Sequence, residues 1–302
     1  MLVQAAAAAA GAQQYPAPAL YVVATPIGNL ADLTLRALHV LATVDAIACE
    51  DTRHSARLLD HFGLVKPLIA AHEHNEREAA AAILVRLARG ERVAYVSDAG
   101  TPAVSDPGAE IVASVRDAGH RVVPIPGASS ALAALAVAGD ANAAGFVFIG
   151  FLPARGGERA RALAQCAGAT AAQVLFEAPH RIESLAAALA ETNPGRVVTL
   201  CRELTKQFET VATMPARELV TWLAADPNRA RGEFVLVLHA LPRNDTIASD
   251  SAHDAILAPL VAALPLKQAV ALAAEIGGAP RNALYARALV LKAGASPEGD
   301  AD

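Results

Sequence analysis

The chain has 302 residues, enough to bury one large core or two compact ones. It is 54% hydrophobic but only 4% aromatic, which excludes disorder and points to a soluble α/β protein of small side chains. A net charge of −5 excludes a protein that grips nucleic acid over its whole surface, so any RNA contact must be local.

Residues 1–19 are Ala-rich and carry no Lys or Arg, so they lack the basic start of a secretory signal; we expect a disordered tail. The apolar stretches are broken by Gly, Pro or charge before they could span a bilayer. Cys49, Cys166 and Cys201 are odd in number and far apart, which suits a reducing cytoplasm and argues against a metal cluster.

Buried strands are predicted at 20–24, 46–50, 67–71, 92–98 and 121–126, each a short apolar run bounded by turn signals. Amphipathic helices fill the gaps. The clearest is 76–89, with Ala79, Ala82, Ile83 and Leu87 on one stripe. Asn75 and Glu78 fit a capping arrangement at its start, and Asp106-Pro107 opens the next helix in the same way. A second series follows: helix 129–138, strand 145–152, helix 157–166, strand 173–178, helix 180–189. Strands 196–203 and 207–213 then succeed one another and read as antiparallel, before helix 216–225 and strand 233–240. Alternating strands and helices imply mainly parallel sheets with helices on both faces. We expect a first α/β domain over 20–125 and a second over 126–241. Residues 242–253 read as a linker to a helical module, 254–294. That module holds helices at 266–276 and 281–291 around the turn Gly277-Gly278-Ala279-Pro280, and 296–302 reads as a frayed tail.

Ligands of α/β sheets bind beyond the carboxyl ends of the strands, so those loops are the ones to inspect. Thr25-Pro26-Ile27-Gly28-Asn29 lacks the glycine fingerprint of a dinucleotide fold, and no phosphate-binding loop is present. In the loop after strand 92–98, Asp98 offers an acceptor for hydroxyl or ammonium groups, and Gly100 permits close approach beside Thr101. Ser129 and Ser130 open a helix whose free N–H groups could hold a carboxylate; the plainer alternative for Ser129 is a helix cap and nothing more. Glu50, Asp51, Arg53 and Arg57 crowd the next strand end. His72, His74 and Glu76 alternate in a loop, a spacing that matches no standard zinc site. Glu177 and Arg181, the charged turn from Arg202 through Lys206, and Glu233 add polar groups in the second half.

These strings resemble the tetrapyrrole-methylase-like superfamily, and within it the branch that methylates small-subunit ribosomal RNA. The resemblance rests on TPIGNLADLT, EDTRH, HEHN, VSDAGTPAVSDPG, PGASSAL, GFLPARG, EAPHR, RELTKQFET and RGEFVLV, in order over residues 20–240. It implies two α/β domains with S-adenosylmethionine folded between them, a cytoplasmic homodimer, and 2′-O-methylation of a cytidine in the decoding region. The partner is then ribosomal RNA or the assembled small subunit, with no membrane and no metal. The cofactor-binding residues implied are Pro26, Asp98, Gly100, Thr101, Ser129, Ser130, Glu177, Thr213 and Glu233. Arg57, Arg155, Arg159, Arg161, Arg181, Arg202 and Lys206 are the basic residues available to RNA, with Lys267, Arg281, Arg287 and Lys292 in the C-terminal module. Methyl transfer from a sulfonium is mainly a positioning task, and some group must still manage the proton of a poorly nucleophilic hydroxyl. Glu50, Asp51, His74, Glu177 and Lys206 qualify, and we take the Glu50, Asp51 and Arg53 group as catalytic. The alternatives are a tetrapyrrole C-methyltransferase and a non-catalytic ribosome-assembly factor.

Overall fold

The computed structural model describes residues 1–242, 245–277 and 280–294. Two compact units divide the chain, Met1–Leu241 and Pro242–Asp302. The first unit holds two five-stranded sheets.

The first sheet comprises β1 (Ala19–Val23), β2 (Ala46–Cys49), β3 (Leu68–Ala70), β4 (Arg92–Val96) and β5 (Arg121–Ile125). Its order is β3-β2-β4-β1-β5 and every pairing is parallel. Helices α2 (Leu35–Thr43), α3 (Thr52–His61), α4 (Glu76–Ala88) and α5 (Ala109–Asp117) make the crossovers. Two apolar layers result, one around Tyr21, Leu41 and Ile47, the other around Leu20, Ile83 and Tyr95. Since all five strands run one way, their carboxyl ends share one edge, where β1, β2, β4 and β5 release the polar loops.

The second sheet comprises β6 (Phe146–Phe151), β7 (Ala172–Glu177), β8 (Val197–Arg202), β9 (Thr210–Pro215) and β10 (Phe234–Leu238). It is flanked by α6 (Ser130–Ala138), α7 (Gly156–Gly168), α8 (Ile182–Thr192) and α9 (Ala216–Ala224). Its order is β6-β7-β10-β8-β9, with β6 and β7 parallel and every other pair antiparallel. The expectation of a mainly parallel sheet therefore holds for the first sheet and needs correction for the second. β10 inserts between β7 and β8 instead of extending the edge. The register has a functional consequence: Phe234 pairs with both Glu177 and Arg202, and Arg202 pairs with Thr210. One end of this sheet is thus a row drawn from four strands.

Three local expectations are overturned. Residues 1–19 are not a disordered tail: α1 (Leu2–Ala10) buries Ala6 and Ala10, and Tyr15 donates to the Ala10 carbonyl at 3.0 Å. An alanine run has the highest intrinsic helix propensity, and its small side chains pack closely. Asn75 does not cap α4 with its side chain; its Oδ1 accepts the His72 N–H at 2.8 Å and closes the loop on itself. Asp106 does not cap α5, which begins two residues later with Gly108 at its N-cap. Glu76 serves there instead, its Oε2 accepting the N–H groups of Gly108 and Glu110 at 3.1 and 3.2 Å.

In the second unit, α10 (Asp245–Ala263), α11 (Leu266–Gly277) and α12 (Arg281–Gly294) close over Leu257, Val270 and Leu284. Much of the expected linker 242–253 is therefore helical, and the expected helical pair has a third member. Arg287 forks onto Asp254 at 2.8 and 2.5 Å, so it serves this small core, whereas Lys267, Arg281 and Lys292 are exposed. Residues 278–279 of the expected turn, and the expected tail 296–302, lie outside the described residues. Among the described residues no helix is long and apolar enough to cross a membrane.

Candidate functional site

The loops at the common edge enclose two adjoining chambers. The first, about 340 Å³, lies between the sheets and has Gly100, Thr101, Ser129, Ser130, Glu177 and Glu233 on its wall. That size falls within the range of ligand pockets, about 300–1,000 Å³. Ile27, Phe151, Phe176, Leu204 and Phe234 supply an apolar lining. The second chamber, about 370 Å³, is lined by Pro26, Gly28, Leu30, His54, Arg57, Leu58, Asp98 and Lys206. Ile27, Ala99 and Glu233 face both.

The wall between them is built by loop-to-loop pairing. Thr25 and Gly100 exchange backbone hydrogen bonds at 2.8 and 3.1 Å, clipping the first loop to the third. Gly100 has φ +80°, a conformation open to glycine at little cost. The Thr101 hydroxyl donates to the Ala128 carbonyl at 3.1 Å, fastening the loop that carries Ser129 and Ser130. Ser129 does cap α6, accepting the Leu132 N–H at 3.5 Å, and it still lines the first chamber.

Carboxylates gather at the first sheet's edge. Burial, reinforced by Asp98 and then Asp106, pushes the Glu50 carboxyl above its ordinary value. Burial raises Asp106 likewise, against a hydrogen bond from Ser97. Asp106 and Ser105 line the first chamber, and the sequence hides them because Asp106-Pro107 has the form of a helix cap. Asp98 Oδ1 accepts the Asp51 N–H at 3.1 Å, and its carboxylate lines the second chamber, not the first.

The expected catalytic group does not converge. Neither chamber is lined by Glu50, Asp51 or Arg53. Asp51 caps α3 and pairs with Arg53 at 2.9 Å on the surface, the Arg53 side chain being 85% exposed. Hydrogen bonds from Arg53 hold the Asp51 carboxyl down at about 2. Thr213 is also displaced from the site. It pairs with Thr199, three residues along the strand from the Arg202–Thr210 row, hence about 10 Å away. Its hydroxyl joins that of Thr199 at 2.7 Å, and Thr199 in turn meets His239 Nε2 at 2.8 Å.

The basic residues also separate. Arg155 at the N-cap of α7 and Arg161 within it are exposed. Arg159 and Arg181 turn inward onto the fully buried Glu177 carboxylate, at 3.4 and 2.8 Å. Both also hold the β6–α7 loop: Arg159 donates to the Pro153 carbonyl at 3.2 Å and Arg181 to that of Leu152 at 2.6 Å. Arg202 is spent on the carbonyls of Arg231 and Phe208, at 2.6 and 3.0 Å. Lys206 donates to Glu203 and Glu233 at 2.9 and 3.0 Å.

Thiol and metal chemistry find little support in this geometry. Cys201 faces the first chamber, but burial pushes its thiol up to about 12, so it is no thiolate nucleophile. Glu76 is occupied with α5, and among the described residues no cluster of three His, Cys, Asp or Glu could hold a metal ion.

Residues 19–220 match the family described as Tetrapyrrole (Corrin/Porphyrin) Methylases, and residues 247–292 match the RsmI C-terminal HTH domain. A relative from Neisseria meningitidis serogroup A, named Ribosomal RNA small subunit methyltransferase I, is 50% identical over 274 residues. The match covers 90% of this chain and 94% of that one. A Pseudomonas aeruginosa relative of the same name is 47% identical, covering 89% and 96%. Among solved structures, uroporphyrin-III C-methyl transferase from Thermus thermophilus, complexed with S-adenyl homocysteine, shares the fold with a TM-score of 0.51. It is 18% identical, covering 73% of this chain and 96% of that one. With its family match over both units and relatives aligned almost end to end, this chain belongs to the ribosomal RNA small subunit methyltransferase I family of tetrapyrrole-methylase-like enzymes.

Proposed function

We propose that this chain transfers the methyl group of S-adenosylmethionine to the 2′ hydroxyl of a cytidine ribose in the decoding region of small-subunit ribosomal RNA. The observation that carries this reading is the pair of relatives named for small-subunit RNA, matched over about nine tenths of each chain. When bound, the cofactor supplies an electrophilic methyl on a sulfonium, so neither a metal nor a covalent nucleophile is needed.

The residues of the first chamber fit that cofactor. Phe151, Phe176 and Phe234 offer an apolar berth for an adenine, and the N–H groups that open α6 at Ser129 and Ser130 offer one for a carboxylate. Gly100 and Thr101 bring backbone close, and the exposed Glu233 carboxylate lies beside a cationic ligand, while Glu177 contributes to the wall with its charge met by Arg159 and Arg181. Pro26 and Asp98 line the neighbouring chamber, beside the wall of Ile27, Ala99 and Glu233 that the two chambers share. Arg57 at that chamber's mouth, with Arg155 and Arg161 at the start of α7, is exposed and able to meet phosphates. Arg159, Arg181 and Arg202 hold the walls of the site.

The protein acts as a cytoplasmic homodimer. Support comes from edge strand β6, which leaves Phe146 and Val147 47% and 46% exposed. An apolar sheet edge is commonly covered by a partner. The direct test of the function is mass mapping of ribose methyls after the protein, S-adenosylmethionine and unmodified small subunits are incubated together. Transfer into a porphyrinogen and not into RNA would replace this reading with carbon methylation of a tetrapyrrole.

A further inference from the structure

The second chamber differs chemically from the first. Two apolar side chains, Leu30 and Leu58, face His54, Arg57, Asp98 and Lys206 across it. Lys206 is the most tightly placed of these. Its ammonium is braced between Glu203 and Glu233, the latter on the wall shared by both chambers. Its stem lies along Gly28, where a β-carbon would stand 2.5 Å from Lys206 Cγ. The turn that carries it holds Glu203 and Thr205 at φ +52° and +68°, conformations that side chains rarely adopt. Strain of this kind persists only where surroundings over-determine it, and it concentrates at functional sites.

Building on the methyl-transfer reading above, we infer that the second chamber receives one nucleotide of single-stranded RNA, and that Lys206 is the catalytic cation for its 2′ oxygen. At about 370 Å³ the chamber has room for one nucleotide and not for a duplex, so the nucleotide must leave its stack. Leu30, Leu58 and Ile27 would flank the base, while His54 and Arg57, both exposed, lie where a phosphate would enter. The ribose then faces the shared wall, which is where the transferred carbon must be met.

In the step itself the 2′ oxygen gives its proton to the Asp98 carboxylate and forms a bond to the methyl carbon. The carbon–sulfur bond breaks, and its electron pair turns the sulfonium into a neutral thioether. Lys206 holds the negative charge that develops on the oxygen. Burial alone would lower the lysine's pKa, but Glu203 and Glu233 together raise it, so Lys206 remains an ammonium and does not act as the base.

The experiment uses the full chain, S-adenosylmethionine and unmodified small subunits under single-turnover conditions. Lys206→Met should lower the rate at saturating substrate by about 100- to 1,000-fold, the usual loss for one oxyanion partner. S-adenosylhomocysteine affinity by calorimetry should stay within about two-fold, and Lys206→Arg should recover part of the rate. Glu203→Gln keeps the lysine's charge and carries the test if Lys206→Met does not fold: kcat should fall about ten-fold with KM unchanged. In Asp98→Asn the rate should climb about ten-fold per pH unit from 6 to 9, where the wild type levels off. A Lys206→Met enzyme with wild-type kcat, or a loss confined to KM, overturns the inference and leaves the functional reading standing. No transfer by the wild type to subunits overturns both.

Discussion

Glu177→Gln tests whether Arg159 and Arg181 serve the interior, as the structure places them, and not an RNA surface. The Glu177 side chain is fully buried, and those of Arg159 and Arg181 are only 13% and 18% exposed. It also accepts the Ala178 N–H at 3.0 Å. Removing one partner of a buried ion pair costs about 3–5 kcal/mol. Glutamine keeps one acceptor and the arginines keep some water, so we expect about 2–4 kcal/mol here. In a unit of this size, 1 kcal/mol moves the melting temperature by about 2–4 °C, which gives a fall of about 5–15 °C. Arg159→Ala should cost somewhat less, since Arg181 still neutralises Glu177. Arg155→Ala, at the exposed N-cap of the helix that carries Arg159, where the side chain makes no capping bond, should stay within about 0.5 kcal/mol. Thermal unfolding followed by circular dichroism at pH 7 measures all three. Raising the salt should change these differences little, because buried pairs are weakly screened. A Glu177→Gln protein that melts within about 2 °C of the wild type, or Arg155 and Arg159 variants that behave alike, would refute the reasoning.

Glu50 has a folded pKa above its unfolded one, so its stabilising contribution is present at low pH and lost as pH rises. Glu50→Gln should therefore melt higher than the wild type at pH 7, with the gain shrinking towards pH about 4; equal melting across that range would count against the buried-acid assignment. Gly100→Ala meets both a φ of +80° and Ile27 Cγ2 at 3.3 Å, so S-adenosylhomocysteine affinity should drop about ten-fold in calorimetry. The double variant Arg155→Ala, Arg161→Ala should flatten the salt dependence of subunit binding by a slope of about 1–2, and leave cofactor affinity alone. Phe146→Glu on the β6 edge should yield monomers in sedimentation if that edge is the dimer contact.

Much of this arrangement is legible in the chain. Short branched runs such as Val93–Val96, bounded by turn residues, identify buried strands because only a covered sheet tolerates continuous apolar side chains. The polar loops are legible for the same reason, since each begins where a strand pattern stops. Whatever depends on long-range placement escapes. Nothing local distinguishes β10 as the strand that slips between β7 and β8, yet that insertion aligns Glu177, Phe234, Arg202 and Thr210. Thr213 shows the same gap: its strand membership can be read from the pattern, but its register cannot. Arg155, Arg159 and Arg161 look alike in sequence, and only the buried carboxylate on β7 separates the second from its neighbours. The Glu50, Asp51 and Arg53 run shows the converse. Adjacent ionisable residues leave a strand end in different directions, so proximity in sequence does not make one site.

The turn at 202–206 has a bearing on attempts to harden the protein against heat. Thr205 is β-branched and left-handed, and glycine would sit there without strain, recovering about 1–2 kcal/mol while keeping the N–H that Glu209 accepts at 2.6 Å. A screen that scores survival alone would reward that change. The same relaxation would let the lysine next to it wander from its two carboxylates. Survival and turnover would then pull in opposite directions on a single residue, so a directed-evolution campaign should lock this turn and draw its stabilising changes from elsewhere in the chain.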